Sequence, residues 1–169
     1  MKQIVFGLFG GTFVVLALAA PNALHQSSLR FNSSDSVPIG LYETAAERAP
    51  YAGFCLDAET LRAALGAGLE LGRGECSDGH QPILKTVYEA SEASPVVFDA
   101  DGFSVGSRRI PNTKPKAFST KGKPLSHYAF GTYTSGLWAI SGYNPDSFDS
   151  RYFGPVSQVR FYAKPVLVF

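Results

Sequence analysis

Three stretches of this 169-residue chain carry side chains able to do covalent chemistry. NSSDSVPIGLY, residues 32 to 42, places Ser34 and Ser36 ahead of a stiff Val37–Pro38 step. In QPILKTVY, residues 81 to 88, Lys85 interrupts a short apolar run. NPDSFDSRYFGPV, residues 144 to 156, crowds Ser147, Asp149, Ser150 and Arg151 together before an aromatic pair. A serine becomes a nucleophile when a base takes its proton and donors receive the oxyanion. The usual base is histidine, but His25, His80 and His127 lie in no triad pattern, and no Gly-x-Ser-x-Gly elbow is present. Lysine can replace histidine if an apolar pocket disfavours its ammonium form. Lys85 is the candidate, because a lysine is almost never fully buried without a reason. Plainer readings stand beside these: Lys85 as an edge-strand residue that points to water, and Asp149 with Arg151 as a surface pair on an Asx-type turn.

A serine and a lysine so far apart in sequence need a rigid framework to meet. Most of it reads as β. SPVVFDADGFSVGS, residues 94 to 107, predicts two strands around an Asp-Ala-Asp-Gly turn, and FGTYTSGLWAISGY and VSQVRFYAKPVLVF predict further strands. One helix is expected in DAETLRAALGAGLELGRGE, residues 57 to 75. Asp57 is its N-cap, Leu61, Ala64, Leu65 and Leu69 share a face, and Gly72 and Gly74 end it. Residues 107 to 124 hold Arg108, Arg109, Lys114, Lys116, Lys121 and Lys123, three prolines and no acid. This is a basic loop, either a solvated mobile connection or a segment resting on anionic lipid headgroups.

An apolar content of 45% supports one cored domain, and a net charge of +1 supplies no field that would draw the chain to nucleic acid. Ile4 to Pro21 is an uncharged run preceded by Lys2. It reads as a membrane anchor with its N-terminus in the cytoplasm, or as a cleavable export signal, since small residues near its end suit a cleavage enzyme. The chain therefore divides into an anchor or signal segment, residues 1–23, and an extracytoplasmic domain, residues 24–169. Cys55 and Cys76 suit that compartment as a disulfide, with two unpaired buried thiols as the alternative. No metal-ligand spacing accompanies them, and no cofactor is expected.

Taken in order, the three stretches resemble the boxes of the signal peptidase I superfamily of membrane-anchored serine-lysine proteases. The closer likeness is to its conjugative-transfer branch, the TraF-type peptidases that mature pilin subunits. Asn32, Ser34, Ser36, Pro38, Gly40, Leu41 and Tyr42 look like that branch's first box, ILK at 83 to 85 like its lysine box, and SFDSR at 147 to 151 like its third. GLWAISGYNP and the cysteine pair around an insert fit as well. The chain departs from the pattern at Thr86, where many relatives carry arginine, in the lack of a Gly-Asp step after the lysine box, and at Tyr143, where aspartate is common.

The resemblance implies a mainly β, signal-peptidase-like domain with an N-terminal transmembrane helix and one short helical insert between the cysteines. It implies Ser36 as nucleophile, Lys85 as general base and Ser34 as an oxyanion donor, with Ser147, Asp149 and Arg151 in support. The implied setting is the bacterial inner membrane with the catalytic domain in the periplasm. The implied substrate is a pro-pilin or other exported protein of a conjugation or type IV secretion apparatus, with cyclisation of the pilin in some members. The rival reading is a non-enzymatic, membrane-anchored periplasmic β-domain serving as a scaffold in an envelope assembly.

Overall fold

Short β-branched and aromatic runs become ten strands in a computed structural model that describes residues 28–169. The expected membrane anchor falls outside the described residues, among which no helix is long and apolar enough to cross a membrane. In chain order the strands are β1 (Leu29–Asn32), β2 (Gly40–Ala45), β3 (Tyr51–Phe54), β4 (Ile83–Glu89), β5 (Val96–Asp99), β6 (Gly102–Val105), β7 (Arg108–Arg109), β8 (Gly131–Tyr133), β9 (Leu137–Ala139) and β10 (Phe161–Val168). Helix α1 (Ala58–Gly66) lies between β3 and β4, and the single turn α2 (Ser150–Phe153) between β9 and β10. The fold is mainly β, as the sequence predicts.

The strands form two antiparallel sheets, a larger one in the order β1-β2-β10-β3-β4-β9 and a smaller one in the order β7-β6-β5-β8. One apolar cluster, including Val96, Phe98, Phe103, Trp138 and Ile140, joins the smaller sheet to the β9 region. Phe98 and Phe103 stack with centroids 4.4 Å apart at its heart. Burial of each such side chain is worth about 1.5–3 kcal/mol, so this cluster anchors the segment that follows β9. A second cluster of Val37, Tyr42 and Ala163 sits beneath the loop that carries Ser36.

The predicted hairpin around Asp99 to Gly102 forms with Asp99 opposite Gly102. Asp57 caps α1, accepting from the backbone N–H groups of Glu59 and Thr60 at 3.1 and 2.8 Å. The helix ends earlier than expected, at Gly66 rather than Gly72. Ala67 is its C-cap, and Gly68 follows at a φ of 86°, a left-handed conformation that suits glycine. Its buried contact is Ala64, while Leu65 is 44% exposed. The Cys55–Cys76 disulfide is formed and closes this insert at its base.

The basic segment is more firmly placed than a mobile connection. Arg108 and Arg109 form β7, and Arg109 pairs with Asp99 at 2.8 Å. Lys116 pairs with Asp146, Lys121 with Glu70, and Lys114 with Asp101 at 3.7 Å. Each exposed pair contributes little to stability, but together they neutralise most of the segment's charge.

In the larger sheet, Phe31, Leu41 and Leu167 are cross-strand neighbours along β1, β2 and β10. Phe31, Leu167 and the nearby Ile39, Val168 and Phe169 are exposed, gathered at the end of these strands where the β1–β2 loop lies.

Candidate active site

The loop between β1 and β2 is closed by the pairing of Asn32 with Gly40. Asn32 holds it from within. Its side-chain amide donates to the carbonyls of Ser34 at 2.7 Å, Pro38 at 3.1 Å and Val37 at 3.3 Å, and its Oδ1 accepts from the Ser34 N–H at 3.2 Å. The Tyr42 hydroxyl donates to the Pro38 carbonyl at 2.6 Å. Val37 plugs the core with 0% exposure, which turns the preceding residue, Ser36, toward β4. Gly40 has no alternative here, because a Cβ would come within 2.1 Å of the Leu167 carbonyl oxygen.

Lys85 lies on β4 opposite Ala52 of β3, whose small side chain is fully buried. Lys85 itself is 3% exposed, so the edge-strand reading does not hold. Its Nζ donates to Ser36 Oγ at 2.5 Å and to Ser147 Oγ at 2.7 Å, and the two hydroxyls are 3.2 Å apart. Burial pushes the Lys85 ammonium down to about 8; the Asp149 carboxylate opposes that, the Arg151 guanidinium adds to it, and Asp35 opposes it. An amine so placed is neutral in a substantial fraction of molecules near pH 8 and can accept the serine proton.

Behind this cluster, Asp149 and Arg151 form an ion pair with both side chains fully buried, so the surface-pair reading fails as well. The Asp149 carboxylate accepts from Arg151 Nε at 2.8 Å and from the Ser141 N–H at 3.0 Å. Asp149 also caps α2 by accepting from the Arg151 N–H. The Arg151 guanidinium binds the Pro145 carbonyl at 2.8 Å and the Ser147 carbonyl at 2.7 Å, with longer bonds to the carbonyls of Asn112 and Lys114. A buried charge with this many acceptors organises the loop around it.

A cavity of about 230 Å³ opens beside Ser36 and Lys85. Its walls include Phe31 from β1, Ser34 from the β1–β2 loop, Ile83 from β4, and Leu69 and Leu71 from the disulfide-bounded insert. Phe161 completes it by lying flat on Gly53, where a Cβ would come within 2.1 Å of the ring. Arg30 lies over the same ring at 4.0 Å and pairs with Glu75 of the insert at 2.8 Å. The insert is thus a wall of the cleft.

This chain is 31% identical over 183 aligned positions to a plasmid transfer protein TraF of Escherichia coli, with 100% of this chain and 98% of the relative covered. The chain belongs to the TraF family. A second Escherichia coli plasmid transfer protein TraF is 29% identical, covering 99% of this chain and 96% of the relative. A conjugal transfer protein TraF of Agrobacterium tumefaciens (strain 15955) is also 29% identical, over 99% of this chain and 97% of the relative. No family model matches the sequence, and no solved structure matches it.

Within this TraF-family chain, three residues singled out from sequence, Ser36, Lys85 and Ser147, meet at hydrogen-bonding distance. Asp149 and Arg151 stand one layer behind them. Ser34 lines the same cavity, but its hydroxyl donates to Asn32 Oδ1 at 2.9 Å. Two further residues escaped notice as individuals. Asn32 is the internal brace of the loop that carries Ser36, and its place directly before Ser-Ser-Asp is the local signal for it. Ser141 is fully buried and donates to the Ser36 carbonyl at 2.6 Å, a link across the chain that no local pattern announces.

Proposed function

We propose that this TraF-family chain is a serine endopeptidase with a Ser36–Lys85 dyad, and that it processes an exported protein, such as a pilin precursor, during conjugative plasmid transfer. The observation that carries the reading is the buried Lys85 Nζ at 2.5 Å from Ser36 Oγ, with burial lowering its pKa. A scaffold gains nothing from burying an unpaired amine, and among the described residues Lys85 has no carboxylate within ion-pair distance.

In the proposed reaction, neutral Lys85 takes the Ser36 proton as Oγ attacks the scissile carbonyl. The tetrahedral oxyanion is met by the Ser36 backbone N–H and by the Ser34 hydroxyl, which must first leave Asn32. The C–N bond breaks, the Lys85 ammonium protonates the departing amine, and an ester to Ser36 remains. Water, or an amine of the same substrate chain, then attacks that ester as Lys85 accepts its proton, and Lys85 passes that proton to Ser36 Oγ as the ester C–O bond breaks, which restores the neutral amine and the hydroxyl. Ser147 holds the Lys85 amine in line throughout.

The proposed setting is the periplasmic face of the bacterial inner membrane, with residues 1–23 as anchor. The exposed apolar residues Phe31, Ile39, Leu167, Val168 and Phe169, gathered beside the loop that carries Ser36, support it as a surface that could rest on lipid. Membership of the signal peptidase I superfamily is proposed on the same three boxes and the dyad they bring together.

The test is processing of a co-expressed pilin precursor. Ser36→Ala and Lys85→Arg should each leave the precursor uncut, and mass spectrometry of the parental product should identify the bond broken and whether a ring is made. Normal processing by either variant would end the peptidase reading.

A further inference from the structure

One short segment, residues 141 to 151, touches both members of the dyad. Ser147 Oγ accepts from Lys85 Nζ at 2.7 Å, while Ser141 Oγ donates to the Ser36 carbonyl at 2.6 Å. Between those two contacts the segment is held by Asp149 and Arg151. The Asp149 carboxylate accepts from the Ser141 N–H, and the Arg151 guanidinium accepts nothing but donates to the Ser147 and Pro145 carbonyls. The Ser141 hydroxyl is also the acceptor for the Asn144 N–H at 3.3 Å, which folds the segment back on itself.

Most other bonds to the backbone of the nucleophile loop come from its own flanks, apart from the Phe169 N–H, which donates to the Ile39 carbonyl at 3.0 Å. Asn32 holds the carbonyls of Ser34, Val37 and Pro38, and Tyr42 holds Pro38. The Ser36 carbonyl is instead gripped from a residue 105 positions away. Fixing that carbonyl fixes the backbone from which Oγ projects, and the same rigid segment fixes the amine.

We propose that Ser141 is a positioning residue that sets the Ser36–Lys85 separation, joining the nucleophile loop to the Asp149–Arg151-braced segment that also holds Lys85. It acts through the Ser36 carbonyl and does not line the substrate cavity. The inference rests on the dyad reading above. It also gives Asp149 a route to the site that does not pass through contact with Lys85.

The experiment uses full-length protein and p-nitrophenyl acetate, a small activated ester whose acylation of Ser36 is followed as a burst of nitrophenolate. Ser141→Ala removes the donor; Ser141→Cys keeps the shape but is a much weaker donor, and so serves if the alanine variant does not fold. Rates are normalised to folded protein by circular dichroism. Either variant should acylate about 10- to 100-fold more slowly, the scale on which a displacement of about 1 Å acts. The ester concentration giving half-maximal rate and the acid limb of the pH profile should both stay at parental values, because neither the cavity wall nor the burial of Lys85 is altered. A loss of folded protein with an unchanged rate per folded molecule would assign Ser141 a purely structural role and overturn the inference. So would a folded variant at parental rate, provided that the parent is faster than Ser36→Ala. A parent no faster than Ser36→Ala would sink the peptidase reading and this inference together.

Discussion

Lys85 Nζ lies 2.5 Å from Ser36 Oγ in a position 3% open to solvent, although the two residues are 49 positions apart in sequence. The contact joins β4 to the β1–β2 loop and places an amine where water cannot easily keep it charged. Its first consequence is a pH dependence. Only the neutral amine accepts a proton, so activity of the free enzyme should rise with pH along a limb centred near 8, the value to which burial lowers Lys85. A profile of kcat/KM against pH checks this, and a flat profile between pH 6 and 9 would separate Lys85 from the reaction.

The same burial has a thermodynamic side. The folded pKa of about 8 lies below the ordinary lysine value of 10.5, so the unfolded chain holds the proton more tightly and stability should climb as pH rises between those two values. Below about 8 both states are charged, and the folded state carries the full penalty, worth about 3 kcal/mol. Lys85→Met should therefore be inactive yet more stable than the parent at pH 7, with the gain shrinking toward pH 10. Thermal melts at the two pH values measure it.

Removing Arg151 should be far more damaging than removing any surface cation. Arg151→Ala strands the fully buried Asp149 carboxylate and frees four backbone carbonyls. Loss of one partner of such a pair costs about 3–5 kcal/mol. By contrast, Lys114→Ala should change stability by less than about 1 kcal/mol, as expected for an exposed pair. Urea unfolding of the two variants gives the comparison.

The disulfide ties stability to the shape of the cleft. It closes a loop across 21 positions, and opening it should cost about 3 kcal/mol on the chain-entropy account. Leu69 and Leu71 of that loop line the cavity, so a Cys55→Ser, Cys76→Ser protein assayed well below its Tm should show a raised KM with kcat less affected. Gly53→Ala offers an independent check. Its Cβ would displace the Phe161 ring, which also lines the cavity, and raise KM with the disulfide intact.

What was legible in the sequence, and what was not, follows from how local each signal is. Strand runs, the Asp99–Gly102 turn and the Asp57 cap are written in adjacent residues, and all formed. Lys85 stood out because its charge contradicts its apolar neighbours. The end of α1 is ambiguous in the sequence because glycine occurs at 66, 68, 72 and 74, and Leu69 prolongs the apparent apolar face beyond the first two. The basic segment looked unpartnered because its acids are distant in sequence: Glu70 for Lys121, Asp146 for Lys116. Ser141 was invisible for the same reason, since it binds a backbone carbonyl that every residue possesses.

Strand order in the larger sheet bears on when the Ser36–Lys85 contact can form. β10, the last strand in sequence, is inserted between β2 and β3, and so separates the hairpin carrying Ser36 from the strands carrying Lys85. Until residues 161–168 have slotted into that gap, Ser36 and Lys85 have no common scaffold. The contact between Ser36 and Lys85 therefore waits on the seating of β10.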